Sequence, residues 1–189
     1  MPKIIKNIEE KISNAAMELF GEYGYESIDM KHIAQKTGVA VGTLYNYYTN
    51  KSELFLEVFR LNWNETLFKL KEEGKINKES REKLKAYVKI LYESLENRKG
   101  ISEAIFKISC NKQKNNVEKH IIYFTEEIVL NIRDLFQREL SESNFIKEYD
   151  VVTRLIEMLL STMSVLIENH EDEKEVNIQF LYTIVSSFL

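Results

Sequence analysis

Proline is nearly missing from this chain: the single one is Pro2, and only six glycines are spread over 189 residues. Interior helices therefore go unbroken, and the turn residues that punctuate sheets are too scarce for a strand-rich fold. The composition predicts an all-α protein. Cysteine occurs once, at Cys110, so no internal disulfide can form, as expected of a chain in a reducing cytoplasm. No uninterrupted apolar run exceeds four residues, too short to span a bilayer, and no membrane partner is expected. The opening "MPKIIKNIEE" has lysines but no apolar core or small-residue cleavage site, which fits a cytoplasmic location. Catalytic signatures are missing too. There is no His-Glu-x-x-His, no Glu-x-x-His pair and no glycine-rich phosphate loop, and His32, His120 and His170 lie far apart. Neither catalysis nor a metal or cofactor is expected.

The formal net charge is -4, which argues against bulk binding to a polyelectrolyte, but local distribution matters more than the sum. From Met30 to Lys51 there are three lysines (Lys31, Lys36, Lys51), one histidine and no acid. Inside that cationic window, "VGTLYNYYTNK" places Tyr45, Tyr47 and Tyr48 just after Gly42 and Thr43.

Helical periodicity organises the rest. Ile5, Ile8, Ile12, Ala15 and Leu19 share a face, widened by Ala16 and Phe20, and Gly21 and Gly24 end that helix. Asp29 reads as the N-cap of a short helix to about Lys36, Thr37-Gly38-Val39 as a tight turn, and Val41 to Tyr48 as a third helix. Asn50 to Glu53 resembles a capping box opening a long fourth helix to about Glu73, with Leu54, Phe55, Val58 and Leu61 inward. Beyond a junction at 72–80, helices are expected along Leu84–Leu95, Ile101–Asn111, Val117–Leu140, Val151–Ile167 and Lys174–Leu189. Residues 1–50 then form a DNA-binding domain and 51–189 a second, helical one, joined by the helix of residues 51–73.

Two short helices around a glycine turn make a helix-turn-helix, which lays its second helix in the DNA major groove. Carboxylates there would face phosphates, so their absence is expected. Threonine and tyrosine hydroxyls can donate to phosphate oxygens, Gly42 allows close approach, and Lys51 is placed to clamp a phosphate. Leu44 and Tyr48 should face inward, Tyr45 and Asn46 outward. Spacing alone leaves a second reading open, in which the tyrosines are core aromatics of an ordinary helix.

The stretch "SIDMKHIAQKTGVAVGTLYNYYTNKSELFLEVF" resembles the DNA-binding segment of the TetR family of transcriptional repressors. The matching pieces are Ile33-Ala34, Gly38-Val39, Gly42-Thr43-Leu44-Tyr45, Tyr48 and Asn50-Lys51, and the resemblance extends over about Ile8 to Phe59. It implies that Thr43, Tyr45 and Lys51 contact phosphates, that Lys31 reaches into the groove, and that Val41, Gly42, Asn46 and Tyr47 face the bases. Asn46 could pair with adenine and Val41 pack on a thymine methyl. Position 40 departs from the family's usual capping serine: Ala40 forfeits a cap typically worth about 0.5–2 kcal/mol.

The C-terminal half carries two helices, about 151–170 and 174–189, that are apolar on more than one side. They are expected to form a homodimer, with Ser161, Thr162 and Ser164 allowing close approach, and the resemblance implies a four-helix interface. It also implies a small, hydrophobic effector whose pocket candidates are Trp63, Phe68, Tyr87, Tyr92, Phe106, Tyr123, Phe124, Met158 and Met163. For each taken singly, core packing is the plainer reading. The function implied is a ligand-responsive repressor on double-stranded, near-palindromic operator DNA. The alternative is a helical adaptor without sequence-specific DNA binding, which would explain the apolar C-terminal helices but not the acid-free tyrosine helix.

Overall fold

The computed structural model describes residues 8–97, 116–140 and 150–188; the expected helix over Ile101–Asn111 and the candidate Phe106 lie outside them. Those residues fold into eight α-helices: α1 (Ile8–Tyr23), α2 (Met30–Thr37), α3 (Val41–Tyr47), α4 (Lys51–Lys75), α5 (Ser80–Glu96), α6 (Asn116–Gln137), α7 (Val151–Asn169) and α8 (Lys174–Ser186). A single 3-10 turn, Glu171–Glu173, separates the last two. The chain divides into two compact units, residues 1–62 with 100–122 and residues 63–99 with 123–189, so the division falls inside α4 and inside α6.

In the first unit α1 packs on α2 and α2 on α3. The apolar spacing of α1 buries Ile12, Ala15, Ala16 and Phe20. The helix runs through Gly21 and stops at Gly24, whose φ of 77° is left-handed and whose N–H donates to the Phe20 carbonyl at 3.1 Å. Ring contacts then tie the corner to α4: Phe20, Tyr25 and Phe55 lie 4.7–5.7 Å apart, centroid to centroid. From α4 this unit also buries Leu54, Val58 and Phe59. Leu61, expected inward, is 48% exposed instead. A seven-residue step on a straight helix returns to within about 20° of Leu54, so the face is the same and what differs is the cover over it.

In the second unit α8 packs on α5 and α7, and α5 on α7. The expected stripe of α5 is buried, Leu84, Tyr87, Leu91 and Leu95 together with Val88 and Tyr92. α6 contributes Ile128, Ile132, Leu135 and Phe136, and α7 contributes Leu155, Ile156, Leu159 and Met163. Two polar pairs are built into this core. Asn177 of α8, 3% exposed, donates to the Tyr92 hydroxyl at 2.9 Å and to the His170 carbonyl at 2.8 Å. Thr66 and Ser94 share a hydrogen bond at 3.1 Å. A buried polar group without a partner costs about 1–3 kcal/mol, so these pairs fix one arrangement of α4, α5 and α8. No helix among the described residues is long and apolar enough to cross a membrane.

Candidate nucleic-acid interface

Capping sets the geometry of the helix-turn-helix. Asp29 accepts from the Lys31 and His32 backbone N–H groups, each at 2.9 Å, while the Asp29 N–H donates to His32 Nδ1 at 3.2 Å. This is a reciprocal capping box with histidine where glutamate or glutamine is usual. The bonds donated by His32 and Lys31, with their charges, hold the exposed Asp29 carboxyl below the usual carboxylate range. At the other end of α2, Gly38 adopts φ 69°. Its N–H donates to Gln35 O and that of Val39 to Ala34 O, both at 3.2 Å, the paired bonds of a Schellman stop. Any side chain with a Cβ is strained at that φ, which makes glycine the natural residue at the turn.

The stop delivers Ala40 in an extended conformation, φ -67° and ψ 143°, with no side-chain cap on α3. α3 is anchored by one fully buried residue, Leu44. Gly42, Tyr45, Asn46 and Tyr47 are exposed, Val41, Thr43 and Tyr48 half-buried. Tyr45 and Tyr47 keep 48% and 40% of their surface, which separates them from core aromatics. Burial, reinforced by Glu57, Glu9 and Glu53, raises the phenol pKa of Tyr48, the tyrosine that does turn inward. A Cβ built on Gly42 would meet nothing within 4 Å, so no packing inside the chain calls for a glycine there.

The start of α4 is capped by a pair displaced one residue from the expected box. Glu53 N–H donates to Asn50 Oδ1 at 2.9 Å, but the Glu53 carboxylate accepts from Thr49, at 2.7 Å from its N–H and 2.6 Å from its hydroxyl. Those Thr49 bonds, the hydroxyl's first, lower the Glu53 pKa. Lys51 is half-buried, and its ammonium donates to the Tyr25 carbonyl at 3.0 Å. The hydroxyl of Tyr25 meets Ser52 Oγ at 2.7 Å. Lys31 is exposed on α2, and Lys36 pairs with Glu18 of α1. The first unit thus exposes Lys31 on α2 and Gly42, Tyr45, Asn46 and Tyr47 on α3, while Lys51 is engaged with Tyr25 at the corner between α1 and α2.

The effector candidates separate by exposure. Trp63, Tyr87, Tyr92 and Met163 are buried, Phe124 is half-buried, and Phe68, Tyr123 and Met158 are 64%, 69% and 40% exposed. Tyr87 packs at a tilt against Phe136, centroids 5.4 Å apart, and Tyr92 is held by Asn177. Sequence reasoning missed Tyr25, His32 and Asn177. Asn177 was findable, as a polar residue in the i, i+4 row it shares with Leu181 and Val185.

Comparison with known proteins places this geometry. The family model described as "Bacterial regulatory proteins, tetR family" matches residues 12–58. The fatty acid metabolism regulator protein of Bacillus subtilis (strain 168) is 32% identical over 74 residues, 39% of this chain and 38% of that protein. The matched stretch therefore spans well under half of that relative. Among solved structures, a transcriptional regulator of Rhodococcus sp. Rha1 aligns with TM-score 0.77 at 15% identity, covering 97% of this chain and 96% of that one. The transcriptional regulator FadR of Bacillus subtilis, solved in complex with stearoyl-CoA, aligns with TM-score 0.65 at 21% identity, covering 92% and 97%. At such identities the structural likeness establishes the all-α fold with its N-terminal helix-turn-helix. The family match, the curated relative and the capped α2–turn–α3 geometry agree on one conclusion: the N-terminal segment of this chain, residues 12–58, belongs to the tetR family of bacterial regulatory proteins.

Proposed function

We propose that this chain is a ligand-responsive transcriptional regulator that binds double-stranded operator DNA through α3 and is released from it by a small hydrophobic effector. The observation that carries the reading is α3 itself: a short helix held by Leu44, free of carboxylates, and exposing Gly42, Tyr45, Asn46 and Tyr47. In the groove, Thr43, Tyr45 and Lys51 would contact phosphates, Lys31 would reach in beside them, and Val41, Gly42, Asn46 and Tyr47 would face base edges. Residues 1–50 supply the DNA-binding part and 51–189 the sensing and dimerising part, with α4 the element common to both.

One short recognition helix gives modest affinity, and a second copy on a near-palindromic site supplies the rest. Support for a homodimer comes from α7 and α8, which leave Met158, Val165, Val176 and Phe180 40–63% exposed after burying a full apolar face each. For the effector, we start from a long-chain acyl thioester. A curated relative is named a fatty acid metabolism regulator, and one structural neighbour was solved with stearoyl-CoA. The buried aromatic and methionine side chains of the second unit suit an acyl chain. An effector that prefers a conformation with lower DNA affinity shifts the population by its differential affinity, which makes the protein a repressor relieved by ligand.

The test is fluorescence anisotropy on duplexes from the DNA flanking this gene, with wild type and Tyr45→Ala, with and without stearoyl-CoA. Sequence-selective, salt-sensitive binding that Tyr45→Ala weakens and stearoyl-CoA reverses is the expected result. Equal affinity for random duplexes would remove the DNA reading in favour of a helical adaptor. Selective binding indifferent to stearoyl-CoA would remove the acyl thioester alone.

A further inference from the structure

His32 is the unusual member of the capping box on α2, and its ring faces two partners at once. Nδ1 lies 3.2 Å from the Asp29 N–H and 3.2 Å from Asp29 Oδ1. Accepting from the backbone N–H requires an unprotonated Nδ1, which puts the ring proton of the neutral form on Nε2. Protonation exchanges one contact for the other: Nδ1–H can no longer accept from the backbone but donates to the Asp29 carboxylate. Each state of the ring thus has a partner in Asp29, the backbone N–H when neutral and the carboxylate when protonated. A glutamate or glutamine in this position would cap without this property.

We propose that His32 is a proton-dependent DNA contact, adding one cation to the phosphate-facing side of α2 when protonated and withdrawing it when neutral. This rests on the DNA-binding reading above. Four observations on the first unit carry it. The His32 side chain keeps 53% of its surface. It follows directly on Lys31, which is exposed on the same short helix. It belongs to the acid-free window of Met30 to Lys51, with Asp29 just outside it as the carboxylate in contact with the ring. Lastly, it lines an open groove of about 510 Å³ with Tyr23, Gln35 and Lys36, which leaves room for a phosphate to approach.

The charged and titratable groups around the ring are few. Asp29 caps it, Lys31 and Lys36 flank it on α2, and Tyr23 faces it from α1 with Glu22 bonded to the phenol. Glu18 of α1 is taken up by Lys36. Asp29 is thus the carboxylate in contact with the imidazole, and that pairing offsets the cost of placing a cation at a helix N-terminus.

The experiment measures affinity for the operator duplex at several salt concentrations, at pH 8 and pH 6, for wild type and His32→Gln. Glutamine keeps a capping acceptor and cannot titrate, and thermal melts at both pH values check that it folds as wild type does. Wild type should bind about fivefold tighter at pH 6, as one exposed ion pair allows. Its plot of log affinity against log salt should steepen by about 0.9 as one more phosphate is neutralised. His32→Gln should show neither change. A variant that keeps the wild-type pH dependence would overturn the assignment to His32. Selective wild-type binding with no pH dependence would overturn the inference and leave the DNA-binding reading standing. No selective binding at either pH would sink both.

Discussion

The ammonium of Lys51 donates to the carbonyl of Tyr25 and sits 4.1 Å from the centroid of the same residue's ring. One side chain at the start of α4 thereby pins the corner between α1 and α2, where Tyr25 also packs on Phe20 and Phe55. The lysine that charge reasoning assigns to a phosphate is also a latch within the fold. An ammonium has three donors, so the latch leaves capacity for a phosphate. Lys51→Met keeps the stem and removes both contacts. It should lower stability by about 1–2 kcal/mol, the sum of a half-exposed charged hydrogen bond and a cation–π contact. If Lys51 also holds a phosphate, the salt slope of DNA binding falls by about 0.9 in the same variant. A stability loss with an unchanged slope would make it a latch only, and unchanged stability would refute the latch.

Gly42 separates fold from function most cleanly. A Cβ there has open space, and its φ is not left-handed, so Gly42→Ala costs the fold nothing. Helix propensity predicts a gain of up to about 1 kcal/mol. A backbone approaching DNA closely has no room for that methyl, so operator affinity should drop on the order of tenfold. Urea melts beside anisotropy decide it. If stability rises and affinity is unchanged, α3 is not presenting this turn to DNA.

Ala40 carries the converse expectation. Its backbone is already extended as an N-cap requires, yet it offers no acceptor. Ala40→Ser should stabilise the protein by about 0.5–2 kcal/mol. The gain should show in the urea midpoint with an unchanged m-value, the mark of a better-capped native state rather than an altered unfolded one.

Much of this was legible in the residues, and the failures have physical causes. Asp29, Gly38 and Leu44 announce α2, the turn and α3 because capping, positive φ and a lone buried leucine are local requirements. The box at Asn50 was right in kind and off by one partner, because Thr49 offers Glu53 two donors against a single backbone N–H. Leu61 failed because an i, i+7 stripe extrapolates an ideal helix and says nothing of where a neighbour ends. The effector candidates were least legible. Aromatic type marks Tyr87 and Tyr123 alike, yet the first is 1% and the second 69% exposed, a difference made by tertiary packing alone.

Two carboxylates should give the protein a distinct acid response. Asp29 and Glu53 both have pKa values lowered in the folded state by the hydrogen bonds they accept as caps. A group whose folded pKa lies below its unfolded value stabilises the fold above the unfolded value. That contribution is lost as pH falls through the folded value, so the loss should set in below about pH 4, where carboxylates ordinarily titrate. Asp29→Asn and Glu53→Gln should each be less stable than wild type at pH 7 and converge on it at pH 3. Urea midpoints at the two pH values show it, and a constant offset would mean that the caps carry no charge-dependent part.

Gly74 near the end of α4 sets local propensity against packing. Propensity favours Gly74→Ala by about 1 kcal/mol. The added Cβ, however, would lie 2.7 Å from the Tyr87 hydroxyl, closer than real side chains come. Tyr87 is 1% exposed and packed against Phe136, so it has nowhere to retreat. Gly74→Ala should therefore destabilise by about 1–3 kcal/mol, the usual cost of overpacking a closed site. Removing the hydroxyl removes the clash, because the ring carbon behind it is already 3.8 Å away. In the Tyr87→Phe background the same alanine should be neutral or stabilising. A double-mutant cycle in urea gives the coupling, expected at about 1–3 kcal/mol. A coupling near zero would show that Tyr87 does shift, and that the second unit is looser around α4 than its burial implies.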